Sequence, residues 1–210
     1  ARIRSSGHEV ALKVQYPGVD LAVESDLKLL KFMLNMSDLV PRGPRMDQIF
    51  IEIRDMFYQE VDYHQERAFT ETFHALLSSD ARYAVPRPHP EFCTKRVLTG
   101  DFMQGVRADS ELVQTLSLDR RNRLGRAFLE LYLRELLEWR QVQTDPHLGN
   151  YLVQVDTTGE HDRLVLIDFG AVRPVPEDFL RSYATLIEGG VNNDHRAIEP
   201  ALKGKRTPFA

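Results

Sequence analysis

Several features that mark other classes of protein are scarce or absent in this 210-residue sequence. It has one cysteine, Cys93, so no disulfide can form within the chain, which is compatible with a reducing compartment. No window approaches the roughly 18 consecutive apolar residues of a transmembrane helix. The first residues also lack the apolar core of a signal peptide. Basic residues do not predominate, since 27 Lys and Arg stand against 31 Asp and Glu, and we therefore expect no nucleic-acid partner.

The residues that are present describe an ordinary globular protein, with 42% hydrophobic and 28% charged residues. The length suits one large domain or two small lobes around a cleft. Apolar spacing and turn residues predict, in order, a strand at 10–15, a helix at 20–39, a helix or helix pair at 46–77, one or two hairpin strands at 91–102, a helix at 118–140, strands at 151–155 and 164–167, and a helix at 179–191.

This order predicts an α+β protein in which a small lobe, residues 1–105, precedes a larger helical lobe, residues 106–210. Polar loops lie between the two lobes, where ligands usually bind. The sequence starts without Met and passes directly into a strand-like segment. We therefore expect a truncated chain, cut at least at its N-terminus.

The first feature with chemical meaning is Lys13, in the middle of the apolar run Val-Ala-Leu-Lys-Val. An ammonium group in a mostly buried strand costs free energy unless an anion meets it. A nucleotide phosphate would do so, and a carboxylate would hold the lysine in place. The alternative is an edge-strand lysine whose head lies in solvent, and taken alone this strand favours the alternative.

The second feature is the polar loop from Thr144 to Asn150. Asp145 and Asn150 are close enough in a tight loop to face one site, and Pro146 and Gly149 fit a sharply turned backbone. The aspartate could orient a nucleophile and the asparagine oxygen could bind magnesium. An ordinary Asp-Pro turn is the alternative.

The third feature is Asp168, which ends an apolar strand and is followed by Phe169 and Gly170. Magnesium is usually held by one or two carboxylates together with substrate phosphates. A simple strand-ending turn is the alternative. The three features occur in the kinase order of Val-Ala-Ile-Lys, Asp-x4-Asn and Asp-Phe-Gly, and together they favour a kinase-like site over three unrelated turns.

The sequence resembles the UbiB family of atypical kinase-like proteins, which support ubiquinone biosynthesis. The resemblance rests on four runs of residues: 10–19 (Val-Ala-Leu-Lys-Val-Gln-Tyr-Pro-Gly-Val), 60–66 with Glu-Val-Asp-Tyr and Glu66, 143–150 (Gln-Thr-Asp-Pro-His-Leu-Gly-Asn) and 166–171 (Leu-Ile-Asp-Phe-Gly-Ala). It implies a protein kinase-like two-lobed fold, and ATP and Mg²⁺ as cofactors.

The resemblance also implies a role for each matching residue. Lys13 would contact the nucleotide phosphates and Glu66 would be its ion-pair partner. Asp145 would be the catalytic-loop aspartate, and Asn150 and Asp168 would be magnesium ligands. Asp101 would lie near the adenine in a hinge at 97–105. Glu60 and Asp62 would form a Glu-x-Asp motif that meets an N-terminal Lys-x-Gly-Gln extension.

Departures from the family pattern leave other functions open. The sequence contains neither the Lys-x-Gly-Gln extension nor an Ala-rich phosphate loop, and Pro174-Val-Pro-Glu177 stands where protein kinases have Ala-Pro-Glu. A lipid, a quinone precursor or water therefore fits better as acceptor than a protein. One alternative is a small-molecule kinase of the aminoglycoside or choline type, although Gln143 replaces its usual histidine. The other is a nucleotide-binding pseudokinase scaffold.

The resemblance extends to partners and location. It implies ubiquinone-biosynthesis proteins as partners and is compatible with peripheral membrane association. A bacterial protein would be cytoplasmic or associated with the inner membrane, and a eukaryotic one mitochondrial.

Overall fold

The computed structural model describes residues 1–36 and 44–194. Their helices are α1 (Val19–Met36), α2 (Pro44–Glu60), α3 (Tyr63–Leu77), α4 (Glu111–Thr115), α5 (Leu118–Leu133) and α6 (Glu177–Val191). Their strands are β1 (Val10–Val14), β2 (Tyr83–Ala84), β3 (Val97–Asp101), β4 (Val106–Arg107), β5 (Gln141–Gln143), β6 (Tyr151–Gln154), β7 (Arg163–Leu166) and β8 (Val172–Pro174). No helix within these ranges is both long and apolar enough to span a bilayer. The end of the helix predicted at 20–39 lies outside the described residues.

The segment predicted as a helix or helix pair at 46–77 is a pair, α2 and α3. Asp62 separates the two helices and caps α3, because its side chain accepts hydrogen bonds from the backbone N–H groups of His64 and Gln65. Aspartate is among the residues preferred at this position. The residues that α3 buries follow helical spacing: Tyr63, Glu66, Thr70, Phe73 and Leu77.

Of the one or two hairpin strands predicted at 91–102, the structure has one, β3. It pairs antiparallel with β1, so that Lys13 faces Leu98 and Val10 faces Asp101. The residues before β3 form a 3-10 turn, Pro90–Phe92, and then an isolated antiparallel bridge between Thr94 and Val97.

The burial predicted for the lysine strand is also corrected. Val10 is the only buried residue of β1, while Leu12 and Val14 are 47% and 61% exposed. Among the described residues β1 and β3 form a two-stranded ribbon, and one face of this ribbon meets solvent. The lysine strand is thus less buried than its apolar sequence predicts.

A four-stranded sheet with the order β2-β7-β6-β4 lies at the centre of the fold. Strand β7 is paired on both sides, and its Leu164, Val165 and Leu166 are buried, as an apolar run of this kind predicts. The strands predicted at 151–155 and 164–167 are β6 and β7, which pair antiparallel, with Gly159 in the connection between them. Because β2 pairs with β7, this sheet contains strands from before and after residue 105. The division of the chain into two lobes at this position stays a prediction.

The C-terminal end of α5 sets up the loop that follows. The helix continues as a π-helical stretch, Arg134–Trp139, and Arg140 then adopts a left-handed backbone with φ 54°. Strand β5 follows and pairs with β8, with Gln143 opposite Val172. This pairing holds the loop at 144–150 beside the residues that follow β7.

Candidate active site

Three elements bring a lysine and two carboxylates together. Lys13 Nζ on β1 lies 2.8 and 3.0 Å from the two carboxylate oxygens of Glu66 on α3. It also lies 3.1 Å from Oδ2 of Asp168, just after β7. The ammonium sits 5.5 Å from the ring centre of Tyr63, within the range of a cation–π contact. The structure therefore joins residues that are 53 and 155 positions apart in the sequence.

Burial and charge act in opposite directions on this cluster. Burial alone would lower the pKa of Lys13, but the carboxylates of Glu66 and Asp168 raise it above its ordinary value. The Glu66 side chain is only 2% exposed, and burial raises its pKa while Lys13 opposes that rise. The lysine thus remains charged and can meet a further anion through its exposed side.

The polar loop brings Asp145 and Asn150 into contact. The Asn150 side-chain amide donates to the backbone oxygen of Asp145 at 3.0 Å and to its Oδ2 at 3.1 Å. The loop is tightened by a 3-10 turn, Leu148–Asn150. Nδ1 of His147 accepts a hydrogen bond from the Gly149 N–H at 3.0 Å. The ring of His147 therefore helps to hold the loop in its turned conformation.

Gln143 connects this loop to the strand end that carries Asp168. Its side-chain amide donates to the Asp168 carbonyl at 2.8 Å, and its Oε1 accepts from the Asp145 N–H at 3.2 Å. The residue is 5% exposed. In the sequence this glutamine is part of a resembling run without a role of its own, whereas in the structure it fixes the distance between two site aspartates.

Glu135 supports Gln143 through a hydrogen bond, and no pattern in the sequence indicates this role. Its Oε2 accepts a hydrogen bond from the Gln143 backbone N–H at 3.0 Å, and the residue is 2% exposed. Burial raises the pKa of this carboxyl group to about 7. In the sequence it resembles any other glutamate near the end of a charged helix.

Glu135→Gln is expected to change how stability depends on pH. A carboxyl group whose pKa is about 7 in the folded chain and 4.5 when unfolded stabilises the fold while it is protonated. That stabilisation is lost as the pH rises through the folded value. Relative to the variant, the wild-type chain should lose about 2–3 kcal/mol of unfolding free energy between pH 5 and pH 8. Urea denaturation at both pH values measures this.

Glu138→Gln is the matched control, because Glu138 lies on the same helical segment with its side chain 60% exposed. This control should follow the wild-type pH profile. If the unfolding free energies of wild type and Glu135→Gln depend on pH in the same way, the raised pKa of Glu135 is wrong.

A cavity of about 280 Å³ opens beside the lysine. Lys13 and Glu66 line it together with the apolar side chains of Ala11, Leu152 and Ile167. Asp101 also lines the cavity, but its carboxylate is hydrogen-bonded to His8 and His89. Burial alone would raise the pKa of Asp101, and these two hydrogen bonds hold it below its ordinary value.

The Glu-x-Asp motif is placed only in part. The Glu60 side chain lies outside the described residues, while Asp62 is exposed and caps α3 one turn before Glu66. The Gln15 side chain donates to the Val61 carbonyl. The residues after Lys13 are therefore tied to the middle of this motif.

The site contains a lysine–glutamate pair, an Asp-x4-Asn loop and an Asp-Phe-Gly strand end, in that order along the chain. These features, on a frame of sheet and helix, define the class of kinase-like phosphotransferases. The chain belongs to the ABC1 atypical kinase-like domain family, whose model matches residues 1–202. The resemblance to UbiB-type atypical kinases is confirmed.

Two curated relatives are named atypical kinases. The mitochondrial atypical kinase COQ8 of Saccharomyces cerevisiae is 32% identical over 191 residues, covering 91% of this chain and 37% of the relative. The mitochondrial atypical kinase COQ8B of Rattus norvegicus is 35% identical over 196 residues, covering 93% and 36%. The chain thus spans about a third of the length of these relatives.

A solved structure has the same fold. The Mycobacterium tuberculosis protein Rv3197, determined in complex with erythromycin, matches with a TM-score of 0.71 and 26% identity. The match covers 97% of this chain and 52% of the other. The predicted kinase-like α+β fold is confirmed.

Proposed function

We propose that this chain forms the ATP- and Mg²⁺-binding part of an atypical kinase or ATPase that supports ubiquinone biosynthesis. The observation that carries the proposal is the contact of Lys13 with both Glu66 and Asp168 beside a cavity with apolar walls. A planar base suits the apolar walls, and phosphates suit the lysine at one end. Kinase-like enzymes use such a lysine–glutamate pair and a metal-binding aspartate for phosphoryl transfer.

The residues at the proposed metal site fit magnesium, which prefers oxygen ligands. Asp168 supplies a carboxylate whose Oδ1 is oriented by the Gly170 N–H at 3.0 Å. Asn150 uses its amide nitrogen on Asp145, which leaves its side-chain oxygen as a ligand. When bound, magnesium would neutralise charge on the nucleotide phosphates.

Each of the other residues would position a reactant. Lys13 would hold the phosphates, and Glu66 would hold Lys13. Asp145 would orient the attacking hydroxyl group or water, while Gln143 would keep it at a fixed distance from Asp168. Positioning and charge neutralisation account for most of the catalysis in phosphoryl transfer.

A second cavity supports an apolar acceptor. It has a volume of about 550 Å³ and borders the catalytic loop at Thr144 and Pro146. Its other walls include Met56, Leu136 and Phe179. A lipid or quinone precursor would suit such walls, and this favours the ubiquinone pathway over small polar substrates of the aminoglycoside type.

The proposal extends to the setting of the protein. Partners would be other ubiquinone-biosynthesis proteins, reached by peripheral association with a membrane. A eukaryotic protein would be mitochondrial, since the yeast and rat relatives are both named as mitochondrial. A bacterial one would be cytoplasmic or associated with the inner membrane.

Mg²⁺–ATP is expected to stabilise the chain against heat. At a nucleotide concentration about 100 times the Kd, binding adds about 2.7 kcal/mol, which raises the unfolding midpoint by roughly 5–10 °C for a chain of this size. A thermal-shift assay with ATP in Mg²⁺ or in EDTA measures the effect. No shift in either condition would contradict nucleotide binding. A shift without ADP release in a turnover assay would favour the pseudokinase alternative.

A further inference from the structure

We propose that His8, His89 and Asp101 form a site for a divalent transition-metal ion of the zinc type, separate from the magnesium site. Nε2 of His8 lies 2.7 Å from Oδ1 of Asp101, and Nε2 of His89 lies 2.8 Å from the same oxygen. One ligand atom from each residue lies within 4.8 Å of the other two. The three side chains come from three separate segments and converge on one point.

The kinds of ligand select the kind of metal. Two imidazole nitrogens and one carboxylate oxygen suit zinc and other first-row transition metals, whereas magnesium prefers oxygen ligands alone. Zinc sites with three protein ligands complete their tetrahedron with water. A zinc ion would need only a small outward movement of the two rings, because each nitrogen is already at hydrogen-bond distance from the shared oxygen.

The backbone around the ligands is already fixed. The His89 N–H donates to the Thr99 carbonyl at 2.9 Å, and the Asp101 N–H donates to the Arg87 carbonyl at 3.0 Å. The Phe102 N–H donates to the Glu9 carbonyl at 3.1 Å, directly beside His8. Binding would therefore order few groups beyond the side chains themselves, which lowers its entropic cost.

His89 also has a suitable outer partner. Its Nδ1 lies 3.7 Å from a carboxylate oxygen of Glu91. A metal-binding histidine commonly directs its second nitrogen towards a carboxylate, which fixes the tautomer in which Nε2 is free to bind. A small shift of the exposed Glu91 side chain would complete this arrangement.

A bound ion would join the N-terminal segment to the strand that borders the nucleotide cavity. In the β1–β3 ribbon, Val10 pairs with Asp101, and Lys13 pairs with Leu98. Asp101 and Lys13 are thus about 10 Å apart along the ribbon, at the usual rise of a strand. The ion would stabilise this end of the cavity without touching Asn150 or Asp168.

Equilibrium dialysis of the full chain against Zn²⁺ tests the proposal. We expect one ion per chain, and a fall in affinity of about tenfold or more in both His8→Asn and His89→Asn. His161→Asn, an exposed histidine outside the cluster, is the matched control and should bind like wild type. Asp168→Asn should also retain zinc, which separates this site from the proposed magnesium site.

Circular dichroism of each variant without metal checks folding. His8 is the more exposed ligand, with 51% of its side chain in solvent, so His8→Asn decides the result if His89→Asn does not fold. Absence of zinc binding to wild type would show a hydrogen-bonded triad alone and overturn the proposal. So would zinc binding that is equal in wild type and His8→Asn, or binding that is lost in Asp168→Asn.

Discussion

Asp168→Asn is expected to abolish Mg²⁺-dependent nucleotide binding and ATP hydrolysis in the full chain. The substitution keeps the shape of the side chain but removes the charge that a magnesium ion would meet. It also removes one of the two carboxylates that hold Lys13 in place. We expect a loss of about 100-fold or more in affinity for Mg²⁺–ATP, because loss of a direct ligand should exceed the 10–100-fold typical of outer partners. Isothermal titration with Mg²⁺–ATP measures it.

The matched control is Asp119→Asn, since Asp119 is an exposed residue of α5 paired with Arg123. It should bind nucleotide like wild type. If Asp168→Asn also binds and turns over ATP like wild type, then the assignment of the metal site is wrong.

Lys13→Met is expected to affect both nucleotide affinity and stability. The variant leaves the buried Glu66 carboxylate without its cation, and breaking a buried pair typically costs about 3–5 kcal/mol. Because the Lys13 side chain is 40% exposed, solvent screening reduces the expected cost to about 1–3 kcal/mol. Nucleotide binding should be lost in the same variant, since no other charge on β1 faces the cavity in the described structure. Urea denaturation and titration with Mg²⁺–ATP measure the two effects.

The double variant Lys13→Met/Glu66→Gln separates the two effects. Removing the orphaned charge should restore much of the stability, while nucleotide binding stays lost. The control Lys95→Met alters an exposed lysine before β3 and should change neither quantity. A Lys13→Met variant that binds Mg²⁺–ATP with wild-type affinity would contradict the phosphate-binding role.

The local pattern of the sequence was sufficient for many of the elements. The helix pair, the long helix that begins at Leu118 and the strands on either side of Gly159 follow from apolar spacing and turn residues, because these report the local backbone directly. The segment at 91–102 holds one strand whose main partner is not its neighbour in sequence, because strand pairing depends on which strand lies nearby in the fold. The partner of β3 is β1, about 90 residues earlier in the chain, and no local pattern encodes that choice.

The sequence by itself was sufficient to single out the candidate residues of the site. Lys13, Asp145, Asn150 and Asp168 stand out because their order and their neighbours match the motifs of kinases, and their individual roles stay predictions. Tertiary structure alone decided how these residues are held. The buried Glu135, the bridging amide of Gln143 and the meeting of His8 with His89 and Asp101 depend on side chains from distant segments. Their environment arises only when the chain packs, because burial and proximity are properties of the fold and not of any one segment.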